Sequence, residues 1–122
     1  MNTRIQLLQR INFYVNIYGS EIPLSERQKA EKILERVFKV SGYSKKELFS
    51  RKRNRELVAW RQLAMWLMVV YTKLSLKSIG EVLGGYDHST VIHSRDLVND
   101  MLEIKDTLFI GILNQYNFYG KS

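Results

Sequence analysis

The 122 residues are enough for one packed domain and leave no room for a second, catalytic one. With 45% hydrophobic and 25% charged residues the composition is ordinary for a globular protein, and with no cysteine it admits neither disulfides nor cysteine-based zinc sites, as in a reducing cytoplasm. The net charge of +7 is concentrated: residues 1–42 carry seven basic and four acidic side chains (+3), residues 43–77 nine and two (+7), and residues 78–122 three and six (−3), a distribution that points to a polyanionic partner.

No window reaches the roughly 18 consecutive apolar residues of a membrane span. Gln6, Gln9, Arg10, Asn12 and Asn16 interrupt the N-terminus, so it lacks a signal-peptide core. With Pro23 the one proline and the glycines at turn-like places, the class expected is all-α. Leu7, Leu8, Ile11, Tyr14, Val15 and Tyr18 fall on one face of a helix over 4–18 that stops at Gly19. A second helix is capped by Ser25, carries the stripe Ala30, Ile33, Leu34, Val37 and Phe38, and ends near Gly42. Ser44 and Glu47 form a capping-box pattern for one short turn, and RKRNR at 51–55 reads as a basic loop.

From Glu56 to Tyr71 apolar residues occupy every face, which predicts a buried central helix with Trp60 and Trp66 in packing roles. Ser75 caps a short helix in which Leu76, Ile79 and Leu83 share a face. Gly84 and Gly85 break the chain, and Asp87 caps a longer helix carrying Val91, Val98 and Leu102. Ile104, Leu108, Ile112 and Tyr116 at spacing four predict a last helix with an exposed aromatic tail. The expected organisation is a single domain over 1–122: an N-terminal helix in 1–24, a core over 25–102 and a C-terminal helix in 103–122.

Short helix, tight glycine turn and longer helix with a polar first turn is the layout of a helix-turn-helix. The first turn of a major-groove reading helix needs short polar side chains, or ones that touch a thymine methyl, and His88, Ser89, Thr90 and His93 meet that need. The basic loop supplies cations for phosphates or for an adjoining minor groove, with Arg53 and Arg55 foremost. Arg51, Lys52, Lys73, Ser75 and Lys77 complete the set of candidate DNA contacts read from the residues.

The segment RQLAMWL at 61–67, followed by LSLKSIGEVLGGYDHSTVIHS at 74–94, resembles the C-terminal DNA-binding domain of DnaA, the bacterial chromosomal replication initiator family. The resemblance runs from about Arg27 to Met101, and GGYDHSTVIH is its most specific part. It implies a fold related to the Trp repressor, a recognition helix in the major groove and a basic loop in the minor groove of a short asymmetric box. It also implies base contacts for Asp87, His88 and Ser89, with Thr90 beside them, and a minor-groove role for Arg53. Departures bear on which box is read. Val69 stands where the family usually has a basic phosphate contact, Lys77 where it has proline, and Tyr86 and Asp96 where basic residues are common.

Gly80 and Gly85 have P-loop spacing but are followed by Tyr86 and Asp87 instead of Lys-Ser or Lys-Thr, so no ATPase module and no nucleotide are expected. His88 and His93, five residues apart, lie on different helix faces and make a poor metal pair. Ser89 beside His88 lacks the group that would orient a base, so neither an enzyme nor a cofactor is expected. The reading is a stand-alone, sequence-specific binder of double-stranded DNA acting in replication initiation or its regulation, nucleoid-associated in the cytoplasm. Its amphipathic terminal helices either pack on the domain or meet a second copy or a host replication protein. The alternatives are a transcriptional regulator with the same binding mode and a protein-interaction module. RNA ranks third, because a helix reads the major groove of B-form and not of A-form duplexes.

Overall fold

Side-chain caps set where the helices of this protein begin. The computed structural model describes residues 17–18 and 23–118. In it, α1 runs Glu26–Ser41 behind Ser25, whose hydroxyl accepts the Gln28 amide while the Gln28 side chain accepts the Ser25 amide. Its stripe of Ala30, Ile33, Leu34 and Val37 is buried as the spacing predicts. Gly42, at φ 76°, ends the helix in a left-handed conformation that suits glycine, with its amide on the Phe38 carbonyl. The single turn α2, Lys45–Leu48, has the Ser44–Glu47 capping box in full.

The central helix α3 spans Arg55–Tyr71 and begins one residue before the expected Glu56, because Asn54 Oδ1 accepts the amides of Glu56 and Leu57. Arg55 therefore sits in a first helical turn instead of in the loop. The two helices of the glycine-turn motif follow: α4, Leu76–Val82, capped by Ser75, and α5, His88–Glu103, capped by Asp87. The last helix, α6, covers Thr107–Asn117. All regular structure among the described residues is helical.

α3 is the hub. It packs against α1, α2, α4, α5 and α6, most extensively against α5, and buries Trp60, Leu63, Met65, Leu67 and Met68 completely or nearly so. A cap is worth about 1 kcal/mol, against about 1.5–3 kcal/mol for a fully buried Leu or Met side chain. The caps thus place the helix ends, and burial around α3 holds the bundle together. Burial all round α3 was the expectation, and here the structure differs: Val58, Trp66 and Val69 are half-buried and Val70 is 48% exposed, because the five neighbours leave one strip of the helix in solvent. Trp66 uses its polar edge on that strip, donating Nε1–H to Asn99 Oδ1 of α5 at 2.7 Å.

The last helix also departs from the spacing-four reading. Ile104 caps α5 and is exposed, Lys105 adopts φ 58°, and Asp106 starts α6 by accepting the Phe109 amide. The buried stripe is Phe109, Ile112 and Tyr116, so of the two described aromatics in the tail one, Tyr116, is interior. Tyr116 is fully buried and donates its hydroxyl to the Ile17 carbonyl at 2.8 Å, while Phe118 is exposed. Of the helix expected over 4–18, only Ile17 and Tyr18 lie among the described residues; both are helical and buried, and the Tyr18 hydroxyl donates to the Tyr71 carbonyl.

Candidate nucleic-acid interface

The turn between α4 and α5 is built on close backbone approach. The carbonyl of Gly80 accepts the amides of Gly85 and Tyr86 at 3.0 and 2.8 Å, and a Cβ at Gly80 would lie 2.0 Å from the Tyr86 carbonyl oxygen. Any larger residue there would force the two strands of the turn apart. Gly84, at φ 95°, is pressed against the Phe49 side chain, which packs under the turn from the end of α2. The turn and the start of the basic loop are thereby neighbours in space although 35 residues separate Phe49 from Gly84.

At the start of α5, Asp87 Oδ1 accepts the Ser89 amide at 3.1 Å and lies 3.0 Å from His88 Nδ1. The amide hydrogen bond from Ser89 holds the Asp87 carboxyl below its usual pKa. His88 and Ser89 are exposed and Thr90 is half-buried. His93 is exposed one turn beyond Ser89, and the same i, i+4, i+7, i+11 row continues through Asp96 and Asp100, both exposed. The row is therefore neutral and polar in its first turns and acidic afterwards. Asp96 is partly neutralised by Arg95, whose Nε donates to its carboxylate at 2.9 Å.

The basic residues fall into two groups. Lys73, Ser75 and Lys77 flank the start of α4 and are all exposed, but the Ser75 hydroxyl is already engaged, accepting the Ser78 amide and donating to Ser78 Oγ. Arg51, Lys52, Arg53 and Arg55 are exposed along the loop and the first residue of α3. Arg53 and Arg55 border an open groove of about 450 Å³ whose floor includes Val58, Leu97, Met101 and Leu108. Arg51 is drawn the other way, toward the glycine turn: its guanidinium donates to the Gly85 carbonyl at 3.4 Å and lies 3.8 Å from the centre of the Tyr86 ring.

Sequence reasoning overlooked Arg61. It sits on an otherwise apolar stretch of α3 and is 7% exposed, with Nε donating to the Leu48 carbonyl at 2.8 Å and its terminal nitrogens to the Lys52 carbonyl at 3.4 Å. Burial pushes its pKa below the usual guanidinium value, yet a guanidinium stays charged in proteins, so it carries positive charge beneath the loop. A lone arginine inside an apolar run was the available signal, since such a residue must find acceptors. Ser94 was also overlooked; it is 2% exposed on α5.

Among the described residues no cluster of three or more metal-ligating side chains occurs, and no helix is long and apolar enough to cross a membrane. The family profile described as bacterial dnaA protein helix-turn-helix matches residues 30–98. The chain is 43% identical over 70 residues to the chromosomal replication initiator protein DnaA of Picosynechococcus sp., covering 57% of this chain and 16% of that protein. It is 41% identical over 80 residues to the Streptococcus mutans protein of the same name, and 40% over 82 residues to that of Streptococcus agalactiae, covering 66–67% of this chain and 18% of each relative. The matched region thus spans less than a fifth of these relatives.

Proposed function

The chain belongs to the bacterial DnaA helix-turn-helix family, and we propose that it binds double-stranded DNA sequence-specifically, in replication initiation or its regulation. One arrangement carries the reading: a capped α5 whose exposed first turn offers His88 and Ser89, beside a glycine turn tied to a run of four exposed cations along the loop and the first residue of α3. In this reading Asp87, His88, Ser89, Thr90 and His93 face base edges, because short polar groups at the start of a reading helix can pair with them. Arg51, Lys52, Arg53, Arg55, Lys73, Ser75 and Lys77 serve phosphates and the flanking minor groove, which supply affinity and register without reading the major-groove edges.

The acidic second half of the α5 row supports a limited insertion. Asp96 lies seven residues past Ser89, about 10 Å further along the axis, and a carboxylate there repels phosphates. Reading is therefore confined to the first two turns of α5. Binding rather than catalysis is the proposed activity, on the nucleoid and without nucleotide, with the described helices acting as one unit. Contact with a second copy or a host replication protein through the last helix has to use Phe118 and the outer side of α6, since Phe109, Ile112 and Tyr116 lie in the core.

The test is selection of duplexes from a random pool, followed by a salt titration on the selected sequence. With about four to eight phosphates neutralised, affinity should fall steeply between roughly 50 and 200 mM salt, with a log–log slope of about −0.9 per phosphate. No enrichment of any duplex, or affinity that stays flat over that range, would overturn the reading.

A further inference from the structure

We propose that Tyr86 is a positioning residue for the DNA interface: it clamps the basic loop to the glycine turn, so that loop and reading helix present a single rigid surface. The inference rests on the DNA-binding reading above. Four cations crowd into residues 51–55, and such a run would splay by self-repulsion unless something held it. Tyr86 is placed to do so with both ends of its side chain. Its hydroxyl donates to the Ser50 carbonyl at 2.7 Å, at the mouth of the loop, and the Arg51 guanidinium stacks 3.8 Å from its ring centre. The buried Arg61 lies 5.6 Å from the same ring and holds the Leu48 and Lys52 carbonyls on either side of that mouth. Loop, turn and α3 thus meet at one aromatic ring. Tyr86 itself directly precedes Asp87, the cap of the reading helix.

Arg51 is held on Tyr86 and on the Phe49 and Gly85 carbonyls, so besides its phosphate role it orients Arg53 two residues on.

Two measurements test the clamp. The first needs no DNA: limited trypsin digestion of the folded protein, scored at Lys52, Arg53 and Arg55. Tyr86→Leu should accelerate cleavage there roughly tenfold, since cleavage tracks the population of the opened loop. Tyr86→Phe, which keeps the ring and loses one hydrogen bond, should accelerate it by less than about threefold. Arg51→Met, which removes the stacked charge and leaves Tyr86 in place, should behave as Tyr86→Leu does and serves in its stead if the leucine variant does not fold.

The second is a double-mutant cycle on the selected duplex. Tyr86→Leu should weaken binding about tenfold in the parent and by about twofold or less in an Arg53→Ala background, because a residue that acts by placing Arg53 has little left to place. Equal losses in the two backgrounds, or an unchanged trypsin rate in a folded variant, would overturn the proposal. A parent protein that binds no duplex would instead overturn the DNA reading, and the trypsin result would still decide whether the clamp exists.

Discussion

Asp87 holds the start of α5 with one carboxylate, and its lowered pKa sets the pH range over which it does so. Its oxygen caps α5 through the Ser89 amide, and that bond lowers its pKa below the ordinary value of 3.8. A group whose folded pKa is depressed contributes stability that is fully present above the unfolded pKa and is lost as pH falls through the folded one. The start of α5 should therefore stay ordered at neutral pH and fray only in acid. Followed by NMR, the Ser89 amide should titrate with a midpoint below 3.8 in the native protein and lose that transition in Asp87→Asn, which keeps an acceptor oxygen; a midpoint at or above 3.8 would remove the cap argument. The neighbouring side chains separate reading from holding. His88→Ala or Ser89→Ala should cost about 1–3 kcal/mol on the selected duplex and little on random DNA, collapsing the specificity ratio. Arg53→Ala should weaken both duplexes together and lower the salt slope by about one unit. If the His88 and Ser89 variants lost selected and random binding equally while folded, α5 would not be the reader.

Each helix of the glycine-turn motif is short on independent stability and depends on its packing. Seven residues of α4 are far below the length at which a helix holds in isolation, so α4 persists because Ile79 and Leu83 are buried and because the Gly80 carbonyl anchors the turn that follows. α5 is longer and lies against α3 through Val91, Ser94 and Val98, which leaves the row of Ser89, His93, Asp96 and Asp100 outward. On the proposed reading, the charge gradient along that row makes the helix a reader at one end and a repeller at the other. Replacing Asp96 with lysine should therefore strengthen binding to selected and random duplexes alike and steepen the salt slope by about one unit, as an added phosphate contact does. Filter binding at several salt concentrations reads both effects, and an unchanged slope would place Asp96 away from the DNA path.

Across the molecule, the segment with the excess charge, 43–77, contains both the basic loop and the hub helix α3. Charge and core are thereby coupled: Arg61 sends one guanidinium from the apolar hub into the backbone of the loop, so the cationic surface is anchored in the centre of the bundle. If the described helices bind DNA as one unit, ATP, ADP and magnesium should leave duplex affinity unchanged. Titration calorimetry of the protein with each nucleotide is the check, and a clear one-site isotherm would show a nucleotide site within these residues.

Much of this architecture was readable before any coordinates because it is local chemistry. A capping side chain bonds amides two or three residues ahead, so Ser25, Ser44, Ser75 and Asp87 announce their helices within a few residues of sequence. The apolar period of α1 and the crowding of charge into 43–77 are likewise properties of neighbours in the chain. The glycine turn, the polar first turn of α5 and the run of arginines, which mark most of the candidate DNA-binding residues, are local in the same way. What escaped depends on partners far away in sequence. Ile104 continued the apolar spacing of the last helix, but Lys105 and Asp106 break the chain there and leave it exposed. Arg61, alone in an apolar run, signals a need for acceptors but not which ones, because the Leu48 and Lys52 carbonyls come from a turn whose position is set by packing. The stack of Arg51 on Tyr86 spans 35 residues and forms where Gly80 lets the Tyr86 backbone, and Gly84 the Phe49 side chain, approach closer than a Cβ would allow. Helix ends follow from hydrogen bonds that a short segment can satisfy alone, whereas the placing of a charged loop against a reading helix is a contact between segments, and it exists once burial around α3 has brought them together.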